Sequence, residues 1–135
     1  MPKLDKTEIE TLRSALTPEQ EKVAFKDGTE RPGTSQLNEE KRDGTYKCAV
    51  CGNPLFGSRH KYESGSGWPS FFDTCGDGAL ETKRDFKLLL PRTEMHCANC
   101  GAHVGHVFND GPEPTGQRWC ANGVVLDFEP EDGEN

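Results

Sequence analysis

Six cysteines are the residues best equipped for chemistry in this 135-residue chain, and their spacing sorts them into two kinds. Cys48-Ala49-Val50-Cys51-Gly52 and Cys97-Ala98-Asn99-Cys100-Gly101 are one device used twice. Two intervening residues let both sulfurs face a single ion, and the Gly after the second Cys permits the tight turn of a knuckle. Two pairs supply four thiolates, a tetrahedral set that suits Zn2+. The set leaves no position for water, so we expect one structural zinc held by Cys48, Cys51, Cys97 and Cys100. It would clip segments roughly 50 residues apart, where a staple removes much chain entropy. Two disulfides or four idle thiols are the alternatives, and the doubled CxxCG favours metal. His96 adjoins Cys97 and could replace a sulfur, but four thiolates already fill the site.

Cys75 and Cys120 lie outside that set. Cys120 sits in Arg118-Trp119-Cys120-Ala121-Asn122. In a strand, alternate side chains share a face, so Arg118, Cys120 and Asn122 point one way while Trp119 and Ala121 point to the core. A guanidinium beside a thiol favours the thiolate, which is the nucleophile. An ordinary thiol, with pKa ~8.5, is only a few per cent thiolate at neutral pH. Upstream, His103 and His106 lie three residues apart in His103-Val104-Gly105-His106-Val107-Phe108-Asn109-Asp110. Imidazole is the side chain suited to proton transfer near neutral pH. If the strand runs on past Gly105, Asp110 shares a face with His106 and could orient its ring. Two such histidines alone are commonly surface residues beside a turn; their company with Cys120 makes them catalytic candidates. A third cluster, Ser64-Gly65-Ser66-Gly67-Trp68-Pro69-Ser70-Phe71-Phe72, reads as a loop with unusual backbone angles. Trp68 and Phe71 could be plain core, or an aromatic wall of a pocket.

The elements that must position these groups follow from local pattern. Residues 5–27 read as two short helices: Ile9, Leu12 and Leu16 keep helical spacing, and Thr17-Pro18-Glu19-Gln20 is a capping box with Pro at the first helical position. Residues 28–44 are polar and without period, which reads as an extended linker. From Thr45 on, short apolar runs such as Thr45–Lys47, Phe86–Leu90, Val104–Phe108 and Val124–Phe128 alternate with Gly, Pro, Asn and Asp. The expected architecture is therefore a single domain over residues 1–135, mainly β. It has a helical arm at 5–27, a core of two antiparallel sheets over 45–128 and an acidic tail at 129–135.

Composition narrows the function classes. Net charge is −7, which repels phosphate backbones and argues against nucleic acid. No apolar run of spanning length and no leader pattern appears, so neither membrane insertion nor secretion is expected. A cytoplasmic location would keep the thiols reduced. Apolar residues make up 32%, with 15 Gly and 9 Pro. A modest, turn-rich core of that kind benefits from a staple.

Together these strings resemble the B-type methionine sulfoxide reductases. They are CxxC at 48–51, Ser64-Gly65-x-Gly67-Trp68-Pro69-Ser70-Phe71, CxxCGAH at 97–103, Gly105-His106-Val107-Phe108-x-Asp110-Gly111-Pro112 and Arg118-x-Cys120-x-Asn122. The likeness covers about residues 7–128. It implies two antiparallel sheets of the zinc-ribbon-like type with N-terminal helices, and a structural zinc remote from the chemistry. It also implies reduction of the R epimer of methionine sulfoxide in oxidised proteins or peptides. Cys120 matches the family's nucleophile, His103, His106 and Asp110 its proton-handling group, Arg118 and Asn122 the residues beside the nucleophile, and Trp68 the wall against the substrate methyl. Thioredoxin is the implied reductant. Two departures stand out: Trp119 replaces a frequent Tyr, and Ser66 occupies the place where many members carry a second cysteine. A hydroxyl cannot form a disulfide, so either the left-over Cys75, in a turn-rich segment, is the resolving thiol, or Cys75 is incidental and external thiols reduce Cys120 directly. A zinc-ribbon binding module would explain the four cysteines but not Cys120, the histidines or Trp68. A zinc hydrolase or deaminase would need an open metal position and a nearby Glu, and lacks its motif here.

Overall fold

In the computed structural model, described over residues 3–26, 28–76, 78–85 and 92–131, two helices lead into two antiparallel sheets. Helices α1 (Lys6–Arg13) and α2 (Pro18–Phe25) both open on capping boxes. Thr17 accepts from the Gln20 amide and Gln20 answers to Thr17, as the sequence pattern predicts, and Asp5 and Glu8 repeat the device on α1. α2 buries Val23 and Ala24 in the core, and α1 packs the half-buried Ile9 and Leu12 against it.

Among the described residues nine strands follow: β1 (Gly44–Cys48), β2 (Pro54–Gly57), β3 (Lys61–Tyr62), β4 (Ser70–Phe71), β5 (Leu80–Asp85), β6 (Arg92–Cys97), β7 (His103–Phe108), β8 (Arg118–Ala121) and β9 (Leu126–Pro130). The smaller sheet has the order β2-β1-β9, and the larger β3-β4-β8-β7-β6-β5. The fold class expected from the sequence is the one observed. Val124 lies in a 3-10 turn (Gly123–Val125), so the last strand starts at Leu126 and runs into the first residues of the acidic tail. The expected strand Phe86–Leu90 lies outside the described residues.

Aromatic packing joins the two sheets. Phe56 of β2 stacks on Phe71 of β4 with centroids 4.1 Å apart, and Tyr46 of β1 meets Phe71 edge-on at 4.9 Å. All three are fully buried, as are Leu55, Met95, Val104 and Val125. Burying a side chain of this size contributes roughly 1.5–3 kcal/mol, which makes this seam the main cohesive element of a lean core. Phe71 is therefore core, whereas Trp68, three residues earlier, is not.

Residues 28–44 are more than a connection. A 3-10 turn spans Gln36–Glu39, the Gly33 amide donates to the Gly67 carbonyl at 2.7 Å, and Glu30 is 4% exposed. Gly67 holds φ +93°, and a Cβ there would come within 2.7 Å of Pro32 Cβ, so this contact requires glycine twice over. Among the described residues no helix is long and apolar enough to cross a membrane.

Candidate active site

The four CxxC cysteines converge. Their sulfurs lie within 4.8 Å of one another, with Cys48–Cys100 at 3.7 Å and Cys51–Cys97 at 3.5 Å. Metal–sulfur bonds of about 2.3 Å give a tetrahedron with edges of about 3.8 Å, so this cluster fits a metal ion. The two knuckles are superposable in their hydrogen bonding: Gly52 N donates to Cys48 O and Gly101 N to Cys97 O, both at 2.8 Å, with both glycines at φ +82°. All six cysteines are free, which removes the disulfide alternative. His96 turns away to Glu94, with Nε2 3.3 Å from its carboxylate, and adds nothing to the sulfur set.

Cys120 lies elsewhere, on β8, in the middle of the larger sheet. It faces Ser70 of β4 on one side and His106 of β7 on the other. The alternation read from the sequence holds: Ala121 is fully buried and Trp119 packs on the core, while Arg118, Cys120 and Asn122 line a cavity of about 290 Å³. Trp68 and His106 complete its walls, with Ser66 beside the sulfur. The volume is at the small end of ligand pockets, which run roughly 300–1,000 Å³, and suits a side chain better than a large metabolite.

Each wall has its own support. Trp68 is pinned by a 3.0 Å bond from its indole Nε1 to the Glu30 carbonyl. Asn122 is 4% exposed and fully engaged: its Nδ2 donates to Val104 O at 3.1 Å, and its Oδ1 accepts from the Glu30 amide at 3.0 Å. It therefore holds β7, β8 and the 28–44 segment together. The Glu30 carboxylate accepts from the Gly123 and Val124 amides at 2.9 and 3.0 Å. Burial pushes this carboxyl up, and those two amide bonds hold it down. Glu30 is the residue that sequence reading missed; a lone Glu in a polar stretch carries no local signal for such a role.

His106 reaches the cavity because β7 approaches β8 very closely. A Cβ on Gly105 would lie 2.0 Å from the Cys120 carbonyl oxygen, so only glycine allows this register. His103 is 3% exposed and lies behind His106, ring centroids 5.4 Å apart, with Nε2 3.6 Å from Glu94. The alternation that would put Asp110 beside His106 stops at Phe108, where β7 ends. Asp110 instead accepts from Arg118, Nε at 2.9 Å and Nη2 at 3.3 Å, while the guanidinium stacks 4.2 Å over Phe108. That pairing holds the Asp110 carboxyl below its ordinary range.

The electrostatics of Cys120 differ from the simple expectation. Burial pushes the thiol above its ordinary value, while the Ser66 hydroxyl and Arg118 draw it down. Arg118 is weakened in this role because its charge is shared with Asp110. Cys75 is exposed and its amide is fastened to Leu55 O of β2 at 2.9 Å; it is not part of the cavity lining.

The SelR domain family matches residues 16–130. The chain is 53% identical over 133 residues to a peptide methionine sulfoxide reductase MsrB of Pseudomonas putida, covering 98% of this chain and 99% of that one. It is 52% identical over 124 residues to an MsrB of Leifsonia xyli, covering 91% and 89%. It is 48% identical over 130 residues to an MsrB of Methanosarcina mazei, covering 96% and 92%. With a thiol, an imidazole and an aromatic wall converging on one small cavity, and likeness of this extent to such relatives, the chain belongs to the MsrB family of methionine sulfoxide reductases.

Proposed function

We propose that this protein reduces the R epimer of methionine sulfoxide, in oxidised proteins or peptides and also as the free amino acid, through Cys120. The observation that carries the reading is the grouping of Cys120, His106 and Trp68 around one cavity that none of the four clustered cysteines lines. The sulfoxide sulfur is electrophilic, and its oxygen leaves readily only when protonated. The Cys120 thiol gives up its proton and the thiolate attacks that sulfur, while His106 delivers a proton to the oxygen. The oxygen ends on Cys120, so one thiol and one sulfoxide become one sulfenic acid and one thioether. A second thiol then condenses with the sulfenic acid, releasing water and forming a disulfide, which a dithiol such as thioredoxin reduces. Methyl on Trp68 and oxygen at His106 select one epimer, because the other interchanges the two positions.

His103 backs His106, Asp110 holds Arg118, and Asn122 fixes the strand that carries the nucleophile. Zn2+ is the ion best matched to four thiolates in a closed tetrahedron, and its role is to clip the knuckles. A thiol nucleophile together with a four-thiolate metal site suits a reducing, cytoplasmic setting. With Ser66 in place of a second cysteine by the nucleophile, Cys75 is the candidate resolving thiol. A zinc-ribbon binding module would leave the Cys120 cavity without a role.

The test is an assay of both sulfoxide epimers with dithiothreitol. The R epimer should be consumed and the S epimer left, and Cys120→Ser should abolish turnover while keeping its metal and its melting transition. Equal or absent turnover of the two epimers would sink the reading.

A further inference from the structure

Ser64, Ser66 and Ser70 form a cluster of hydroxyls that meets the Cys120 sulfur through Ser66. Ser66 Oγ lies 3.9 Å from Cys120 Sγ. Ser66 and Ser64 hydroxyls are 2.8 Å apart, Ser64 and Ser70 hydroxyls 2.7 Å apart, and Ser70 Oγ donates to the Trp68 carbonyl at 3.0 Å. Each hydroxyl has one proton to give. With Ser70 giving its own to the Trp68 carbonyl, the shortest contacts let Ser64 donate to Ser70 and Ser66 to Ser64, while Ser66 also lies 3.4 Å from both the Trp68 carbonyl and Ser70 Oγ. In that arrangement the Cys120 thiol can donate to Ser66, and the 3.9 Å contact equally allows Ser66 to donate to the sulfur.

Ionisation of Cys120 requires only one reversal. The Ser66 hydroxyl turns from Ser64 to the sulfur, and Ser64 keeps an incoming donor because the Ser66 amide already points at it at 3.2 Å. No group in the chain loses its partner. A bond to sulfur at 3.9 Å is long, but hydrogen bonds shorten and strengthen when the acceptor is charged. We propose that Ser66 is a catalytic residue of this protein, the hydroxyl whose proton turns to the Cys120 sulfur and stabilises the thiolate.

The proposal rests on Cys120 being the nucleophile and adds a residue to that site. Ser66 is the position at which a second cysteine would stand, so the substitution that removes a resolving thiol also supplies a donor. A thiol is a weak donor and would serve the thiolate less well. Other groups set the same balance. Arg118 lies along β8, His106 across on β7, Tyr62 on β3 and Glu30 in the preceding segment; Arg118 lowers the thiol and Glu30 raises it. Ser70 adds a second hydroxyl that lowers the thiol.

The experiment follows alkylation of Cys120 against pH by peptide mass mapping, in a Cys75→Ser background with the metal bound. Ser66→Ala should shift the midpoint upward by about one pH unit, so that alkylation at neutral pH falls about tenfold. Ser66→Thr, which keeps the hydroxyl, should restore the wild-type midpoint. If Ser66→Ala fails to fold, Ser66→Cys under reducing conditions keeps the bulk and should also raise the midpoint. An unmoved midpoint in Ser66→Ala or Ser66→Cys overturns the proposal. Failure of the reductase reading has a different signature, since turnover of the two epimers would then be equal or absent while the alkylation midpoint still depended on Ser66.

Discussion

Cys120 is poised by opposed influences of similar kind, and burial prevails in the substrate-free protein. A thiol held above its ordinary value needs a base nearby at the moment of attack, and His106, directly across on β7, is placed for that task. Its removal should therefore act on the chemical step. His106→Asn should lower kcat by about 10²–10⁴, the usual worth of positioned proton transfer, with KM and melting temperature little changed. His103 is buried behind it, so His103→Asn should lower the melting temperature along with kcat. Steady-state kinetics and thermal melts of the pair decide the matter. A His103 variant that melts normally yet loses as much kcat would give the proton role to His103.

Two elements carry the site and each can be tested apart from the chemistry. The paired knuckles tie β1 to β6, and loss of one thiolate opens the sulfur tetrahedron. Structural zinc sites are worth about 10–16 kcal/mol in isolated fingers, as much as the whole stability of an ordinary domain. Cys97→Ser should lose the metal and melt far lower, as should the wild-type protein in chelator. A melting temperature indifferent to both treatments would mean the cluster is not structural. The segment before β1 is the second element. Glu30→Gln puts an amide NH2 against one of the two backbone N–H groups of Gly123 and Val124, leaving that N–H unsatisfied at a cost of about 1–3 kcal/mol. Because the same residue pins Trp68, KM should rise more than kcat falls. Denaturant unfolding and kinetics of this variant check both, and an unchanged KM would detach Glu30 from the substrate wall.

At the scale of the whole molecule the open matter is how the oxidised site is reset. Cys75 is tied to β2 in the smaller sheet's neighbourhood, whereas Cys120 sits in the larger sheet. Four residues lie between Cys75 and Ser70, the strand partner of Cys120, and the first of them, Phe71, stays in β4, so release of the Leu55 bond would give the loop roughly 14 Å of reach. A disulfide needs Cα atoms within about 7 Å, which that reach permits. If Cys75 resolves the sulfenic acid, Cys75→Ser should still release methionine in a single turnover but lose thioredoxin-driven cycling and form no intramolecular disulfide. Full cycling in that variant would leave direct reduction of Cys120 by an external thiol as the route. What the sequence determined by itself was everything local: the two knuckles, the capping boxes, the alternation that turns Arg118, Cys120 and Asn122 to one face. These depend on spacings of two to four residues, which backbone geometry converts directly into side-chain placement. What only the tertiary structure decided was which distant groups meet. Glu30 reaches Asn122 and Gly123 across more than ninety positions, and Ser66 reaches Cys120 across 54. Asp110 found Arg118 because β7 ended before it, and those meetings were set by strand register and by where each strand stops, neither of which a spacing along the chain encodes.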